Sequence, residues 1–426
     1  MERANSKRPM ISWALYDWAN SAFATTVMAG FFPVFFKSYW YSDAEATQST
    51  FALGMGNAIA GLVIAVMAPV LGAIADRGSA KRRFLFTMVF LGVVSTAALF
   101  FIAEGQYLLA LFVYVVAVIG FESATTFYDS LIVSVSDEKS RVSVSALGYS
   151  LGYLGGGVLF TLNVLMALNP EWFGLADDAA AVRVSFLTVA VWWTLFTIPL
   201  YLWVKEPRDP HAVSGMVAVR GGIQQLAQTI KEVGSLKVVA TFLVAYWLYM
   251  DGVHTIVRMA VDYGLALGFP SDSLIKALLI TQFVGFPATL VMGKLASRIG
   301  AKPAIYVCIT VYAFVTVWGF FMTQIWQFYA LAVIIGLAQG GSQAISRAYY
   351  ISMVPQARIA QFCGFYNMLG KFAAVLGPVL VGVVAAVSGS NRLSILSLLI
   401  LFAGGAFVLY FVDPPRGERH SVTPAS

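Results

Sequence analysis

Asp251, His254, Arg258 and Asp262 follow one another at steps of three, four and four residues inside an otherwise apolar stretch, Lys237 to Asp262. At 3.6 residues per turn these steps put all four on one helix face. The stretch exceeds the ~20 residues that carry a helix across a bilayer. A charge at the centre of a lipid-facing helix costs ~2.5–3.5 kcal/mol on insertion scales. A stripe of charges must therefore face protein or a water-filled cavity. The chemistry open to it is capture of a polar solute or exchange of a proton. Similar sets occur in other apolar stretches: Asp17 with Asn20 and Ser21, and Glu122, Thr125, Thr126 and Asp129 on one face. Gln339, Gln343 and Arg347 fall at four-residue steps, and Asn367 and Lys371 add one more pair.

Each residue has a plainer reading. Arg258 and Asp262 are four apart and suit a local ion pair as well as a pathway. Asp129 lies near the end of its stretch, where holding Lys139 or Arg141 in a gate fits better than touching substrate. His254 reads either as a titrating group or as hydrogen-bonded packing. Arg347 sits low enough to snorkel to an interface. Asp17, Glu122, Asp251 and Lys371 lie deeper, and for them a cavity role outweighs a structural one.

The elements that position these residues are membrane helices. Of 426 residues, 59% are hydrophobic and 11% charged, against ~45–50% and ~25% in soluble domains. Twelve spans can be drawn, six of them at 11–36, 51–75, 84–103, 107–135, 142–168 and 184–204. The other six are 237–262, 274–295, 303–323, 327–353, 361–387 and 393–412. The chain thus reads as an N-terminal six-helix bundle (1–204), a linker (205–236) and a C-terminal six-helix bundle (237–426). In the linker Ile223, Leu226, Ile230 and Val233 keep helical spacing, which predicts an amphipathic helix on the membrane surface.

The net charge of +6 reflects short loops, not a nucleic-acid footprint. Twenty of the 27 Lys and Arg residues lie in the N-terminus, the even-numbered loops, the linker and the C-terminus. Only Lys37, Arg183, Lys276 and Arg392 lie in the odd-numbered loops. Both termini are therefore expected in the cytoplasm, with the chain in a bacterial inner membrane. Cys308 and Cys363 both sit in spans, so no disulfide framework is indicated. No paired His and acid spacing points to a metal, no Walker motif to ATP, and no nucleophile elbow to hydrolysis. The glycines of span five (Gly148, Gly152, Gly155, Gly156, Gly157) follow no strand, so they read as helix-packing positions rather than a phosphate loop. No cofactor is expected.

Three landmarks recur at equivalent spans. Leu15-Tyr16-Asp17 matches Leu248-Tyr249-Met250-Asp251, and Gly72-Ala-Ile-Ala-Asp76-Arg77 matches Gly293-Lys-Leu-Ala-Ser297-Arg298. Val204-Lys-Glu-Pro207-Arg208 matches Val412-Asp-Pro-Pro415-Arg416. Their shared order indicates a duplicated six-helix unit, a common transporter plan.

The loop Gly72-Ala-Ile-Ala-Asp76-Arg77-Gly78-Ser79-Ala80-Lys81-Arg82-Arg83 resembles the signature between helices two and three of the major facilitator superfamily. More specifically, four further segments resemble the autophagy-related vacuolar amino-acid effluxer family and its compact bacterial relatives. They are Trp13-Ala-Leu-Tyr-Asp17-Trp-Ala-Asn20-Ser21-Ala-Phe23, Tyr249-Met-Asp251-Gly252-Val, Gln339-Gly-Gly-Ser-Gln343-Ala-Ile-Ser346-Arg347, and Gly364-Phe-Tyr with Leu376-Gly377-Pro378. Two departures stand out: the signature's second glycine comes one place early, at Gly78, and Ser297 replaces the acid in the repeat copy. The resemblance implies twelve helices in two pseudo-symmetric bundles, with a central cavity lined by spans one, four, seven and ten. It implies gating roles for Gly72, Asp76, Arg77 and Arg298, with Asp76 meeting the start of span eleven in one state. It also implies a transporter of small solutes, with amino acids the substrate class of the eukaryotic members.

The leading expectation is therefore a monomeric secondary transporter of a small polar solute, with H⁺ or Na⁺ as the coupling ion. Amino-acid efflux is one form of it. A membrane enzyme acting on a lipid-linked substrate and a non-transporting sensor on the same fold are the alternatives. For a zwitterion, Lys371 or Arg347 is expected to hold the carboxylate, and Asp17 or Asp251 the ammonium or the driving proton.

Overall fold

The computed structural model describes residues 7–43, 46–206, 213, 216–224, 237–267, 269–355, 358–372, 376–388 and 390–412. Within them the side chains of Arg258, Asp262 and Lys371 lie outside the description. The described elements are helical throughout. Among the described residues, ten helices are long and apolar enough to cross a membrane: Lys7–Trp40, Met55–Gly78, Lys81–Phe101, Tyr107–Ser134, Arg141–Leu168, Asp178–Trp203, Lys276–Ile299, Ala301–Phe321, Ile325–Met353 and Arg392–Tyr410. The two remaining expected spans are helical as well. Span seven is a single helix, Lys237–Ala266, that carries the polar stripe. In span eleven the described stretches, Ile359–Phe372 and Leu376–Ser388, are both helical.

The surface has the character of a bilayer-facing one. Phe90, Phe101, Phe407 and Val387 are 67–84% exposed, a liability in water but the ordinary outward face of a helix in lipid. Charged groups such as Asp17, Asp251 and Arg347 lie inside instead.

The chain divides into two compact units, residues 1–136 with 151–223, and residues 137–150 with 224–426. Span five thus gives its first part to the second unit. In the first unit, span one packs on the glycines of span five. A Cβ on Gly155 would come 2.5 Å from the Trp18 carbonyl, so only glycine allows this approach. Against that face span one winds as a π-helix over Phe23–Phe31, a rare form that concentrates at functional sites.

The duplication is visible in how helix ends are tied. Arg183, at the start of span six, donates Nε to the Phe100 carbonyl at 2.9 Å. Its counterpart Arg392, at the start of span twelve, donates Nη1 to the Phe320 carbonyl at 2.9 Å. At the opposite ends, Arg82 donates to the Tyr201 carbonyl. There Lys302 donates to the Tyr410 and Val412 carbonyls at 2.9 and 2.7 Å. Each cation meets the last carbonyls of a neighbouring helix, where the helix dipole favours positive charge by ~0.3–1 kcal/mol. Two of the four cations in the sparse odd loops are thereby explained as helix caps. In the linker, the helix at 216–224 starts against span two, with Gly222 packed on Ile74. Leu226, Ile230 and Val233 lie outside the described residues.

Candidate functional site

The first unit holds a buried carboxylate. Asp17 is 7% exposed, and the Tyr128 hydroxyl donates to its Oδ2 at 2.8 Å. Tyr128 is itself fixed: its ring stacks on Trp13 at 4.4 Å, and its carbonyl accepts from Trp13 Nε1 at 3.0 Å. Tyr16 closes the cluster with its ring 4.8 Å from Tyr128. All three rings are fully buried, so this side of the carboxylate is dry. Hydrogen bonds gain strength in such a low-dielectric setting. Asn20, Glu122 and Asp129 are also buried in the first unit.

At one end of the same unit lies the signature loop. Asp76, with its side chain 1% exposed, pairs with Lys81 Nζ at 2.9 Å. Glu206 accepts from the backbone N–H groups of Lys81 and Arg82 at 3.0 and 3.1 Å, a carboxylate seated on the start of span three. Gly72 is buried and Arg77 is exposed, with its carbonyl accepting from Val213 N at 3.2 Å. In the repeat copy a serine stands where the first copy has its acid. Ser297 shares a hydrogen bond with Ser143 at 3.2 Å and donates to the Gly293 carbonyl at 2.9 Å, while Arg298 is exposed.

The second unit holds a buried guanidinium. Arg347 is 1% exposed, so the snorkelling alternative is corrected: the side chain turns into protein. Its Nε donates to Ser145 Oγ at 2.9 Å and its Nη2 to the Ser145 carbonyl at 3.1 Å. Its plane lies over the Tyr149 ring at 4.3 Å, a cation–π contact. Ser145 Oγ in turn donates to the Ala344 carbonyl at 2.8 Å. A planar fork that stacks and donates in this way cannot be replaced by lysine without loss. In the same unit Tyr246, Tyr350 and Tyr366 form a stack, with centroids 4.3 and 4.9 Å apart. Tyr249 Oη sits 2.6 Å from Ser346 Oγ.

Asp251 is fully buried, and its Oδ1 accepts from the Gly377 N–H at 3.0 Å. Gly377 lies in the helical stretch Leu376–Ser388 of span eleven. The carboxylate therefore ties span seven to the backbone of span eleven. Thr255 Oγ1 approaches the same oxygen at 3.5 Å.

Of the other predicted residues, His254, Gln343 and Asn367 are half-buried in the second unit. Gln339 is half-buried too and lines an apolar cavity among spans seven to ten and twelve. Lys371 lies in the helix Ile359–Phe372, and Arg258 in Lys237–Ala266. Sequence reading missed Tyr128, Ser145, Tyr149, Thr255 and Glu206. Glu206 alone left a signal, because it stands inside the repeated Val204-Lys-Glu-Pro landmark.

The sequence matches the family described as "Vacuole effluxer Atg22 like" over residues 42–134 and 133–422. It is 40% identical over 407 residues to an uncharacterized MFS-type transporter, YxiO, of Bacillus subtilis, covering 94% of each chain. It is 28% identical over 318 residues to autophagy-related protein 22 of Yarrowia lipolytica, covering 67% of this chain and 53% of that one. Among solved structures, the proton:xylose symporter XylE superposes with a TM-score of 0.70 at 13% identity, over 96% of this chain and 95% of that one. The human organic anion transporter MFSD10 gives the same score and identity over 95% and 99%. At such identity the superpositions speak for the fold: all-helical, of the major facilitator type. Together with the family match and the Bacillus relative, they make this chain a member of the Atg22-like family of major facilitator superfamily transporters.

Proposed function

We propose that the protein is a secondary active transporter that exports a small zwitterionic solute, an amino acid foremost, by alternating access coupled to protons. The observation that carries this reading is the buried Asp17 carboxylate under the Tyr128 hydroxyl. Such a group can take up and release a proton inside a membrane span. Support also comes from the relatives' printed roles, a vacuole effluxer family and a proton-coupled sugar symporter. In this reading Asp17 carries the proton. Asp251 serves chiefly to hold the second half of span eleven, since the Gly377 N–H already occupies its Oδ1.

The substrate carboxylate falls to the cations of the second unit, Lys371 first and Arg347 second. Arg347 is already engaged by Ser145 and Tyr149. Removing one partner of a buried charge pair costs ~3–5 kcal/mol, roughly a hundred- to a few-thousandfold in affinity. Lys371→Met is therefore expected to lose nearly all substrate flux at unchanged expression, in a proteoliposome exchange assay. Normal exchange with Lys371→Met and Arg347→Gln combined would show that no carboxylate is held there.

Both termini are assigned to the cytoplasm, from the loop charges. Cysteines placed at Ser42 and Asn169 should react with an impermeant thiol reagent added outside intact cells. A cysteine at Ser79 should react only after permeabilisation, and the reverse pattern would overturn the orientation.

A further inference from the structure

The end of the first unit that carries the signature loop gathers cations around the last turn of span six. Arg8, at the start of span one, lays its guanidinium over the Trp203 ring at 4.1 Å. Arg82, at the start of span three, lies 5.6 Å from the Tyr201 ring and donates to the Tyr201 carbonyl. Lys7, Arg83 and Lys205 are exposed at the same end. The described acids nearby are both engaged: Asp76 pairs with Lys81, and Glu206 accepts from the backbone N–H groups of Lys81 and Arg82. Among the described residues no carboxylate pairs with Lys7, Arg8, Arg83 or Lys205.

Arg8 is the cation with most left to offer an anion. Stacking occupies the face of a guanidinium and leaves its five N–H donors, which lie in its plane. Arg8 is exposed, and no acceptor for those donors is found among the described residues. The duplicated scaffold does without it: counted from Leu15 and Leu248, its repeat position is the uncharged Thr241. Beside it an apolar strip leads away along span six. Val191, Leu195, Ile198 and Leu202 recur at steps of four, three and four, on one helix face, and are 45–65% exposed. The strip ends between Tyr201 and Trp203, rings of the kind that sit at the headgroup level. A soluble anion would leave the strip uncovered, and a zwitterionic headgroup would bring its own cation to a basic surface. An anionic phospholipid satisfies both the guanidinium and the strip.

We infer that this end of span six is a binding site for an anionic phospholipid. Its phosphate is held by Arg8 on Trp203, in the field of Lys7 and Lys205, and its chains lie along Leu202, Ile198, Leu195 and Val191. Each cation near such a charge contributes about fivefold in affinity. The site is separate from the groups assigned to proton and substrate. It needs only the chain's place in a bilayer, and stands or falls independently of the amino-acid reading.

Native mass spectrometry of the full-length protein in detergent tests it, with dioleoyl phosphatidylglycerol and dioleoyl phosphatidylcholine titrated separately. Phosphatidylglycerol is expected to bind tighter by about fivefold or more. Arg8→Gln should weaken its binding about fivefold, and Arg8→Gln with Lys205→Gln roughly twenty-fivefold. Phosphatidylcholine binding should be unchanged in both. Phosphatidylglycerol binding should also be unchanged in Lys294→Gln, which removes an exposed cation of the second unit. Excess inorganic phosphate at constant ionic strength should not displace the lipid. In the unaltered protein, phosphatidylglycerol carrying a diazirine on one acyl chain should label Leu195, Ile198 or Leu202, which decides the matter even if a variant folds poorly. Equal affinity for the two lipids, equal weakening by Lys294→Gln, displacement by phosphate, or labels scattered over other lipid-facing helices would each overturn the assignment.

Discussion

Asp17→Asn is expected to abolish gradient-driven accumulation while sparing counterflow exchange. A proton moving down ~100 mV supplies ~2.3 kcal/mol, enough for roughly fortyfold accumulation per proton at ~1.4 kcal/mol per decade. Asparagine keeps the shape and still accepts from Tyr128 Oη, so the packing under Trp13 and Tyr16 survives. What it loses is the titrating proton. The variant should therefore equilibrate substrate and never concentrate it. Tyr128→Phe removes only the hydroxyl that donates to Asp17, and should shift the pH dependence of transport without eliminating coupling. Full accumulation by Asp17→Asn in proteoliposomes with an imposed gradient would remove Asp17 from the mechanism.

The second large effect is expected at the junction of span seven with span eleven. A Cβ on Gly377 would lie 2.0 Å from Thr255 Oγ1, 2.9 Å from Thr255 Cβ and 3.0 Å from Asp251 Oδ1. No rotamer of Thr255 relieves the contact with its own Cβ, so the backbones must part. Overpacking of this kind costs ~1–3 kcal/mol or more, and here it also pulls the Gly377 N–H off its carboxylate. Gly377→Ala should thus lower the unfolding temperature of the purified protein and stop transport. Asp251→Ala should destabilise by ~1–3 kcal/mol through the stranded N–H. Asp251→Asn keeps an acceptor and should retain most of the stability. If Asp251→Asn proves as unstable as Asp251→Ala, the charge rather than the hydrogen bond holds the junction. If Gly377→Ala is as stable and active as the native chain, span eleven is not anchored there.

The membrane helices were legible because apolar length and loop charge are local properties of the chain. The stripe on span seven was equally legible, since three- and four-residue spacing fixes a helix face before any tertiary contact exists. Asp17, Asp251 and Arg347 could be singled out for a related reason: a charge in an apolar span requires a partner. Which partner it finds is another matter. Tyr128 lies 111 residues from Asp17, and Ser145 lies 202 residues from Arg347. Such pairings are set by how helices pack, and nothing in the spacing of either residue announces them. Asp251 illustrates the limit most clearly. Its repeat position matching Asp17 implies a shared role, yet one carboxylate accepts from a tyrosine and the other from a backbone N–H of span eleven. For Arg347 the spacing leaves a pathway role and snorkelling both open, because the first part of span five that covers it is 202 residues away in sequence.

The central claim is proton-driven movement of a zwitterion, and one measurement reaches it directly. The purified protein in proteoliposomes is offered a panel of radiolabelled amino acids, with and without an imposed pH gradient. Uptake of at least one zwitterionic amino acid should rise with the gradient and collapse when a protonophore dissipates it. Flux that ignores the gradient, or no flux for any zwitterion in the panel, would contradict it.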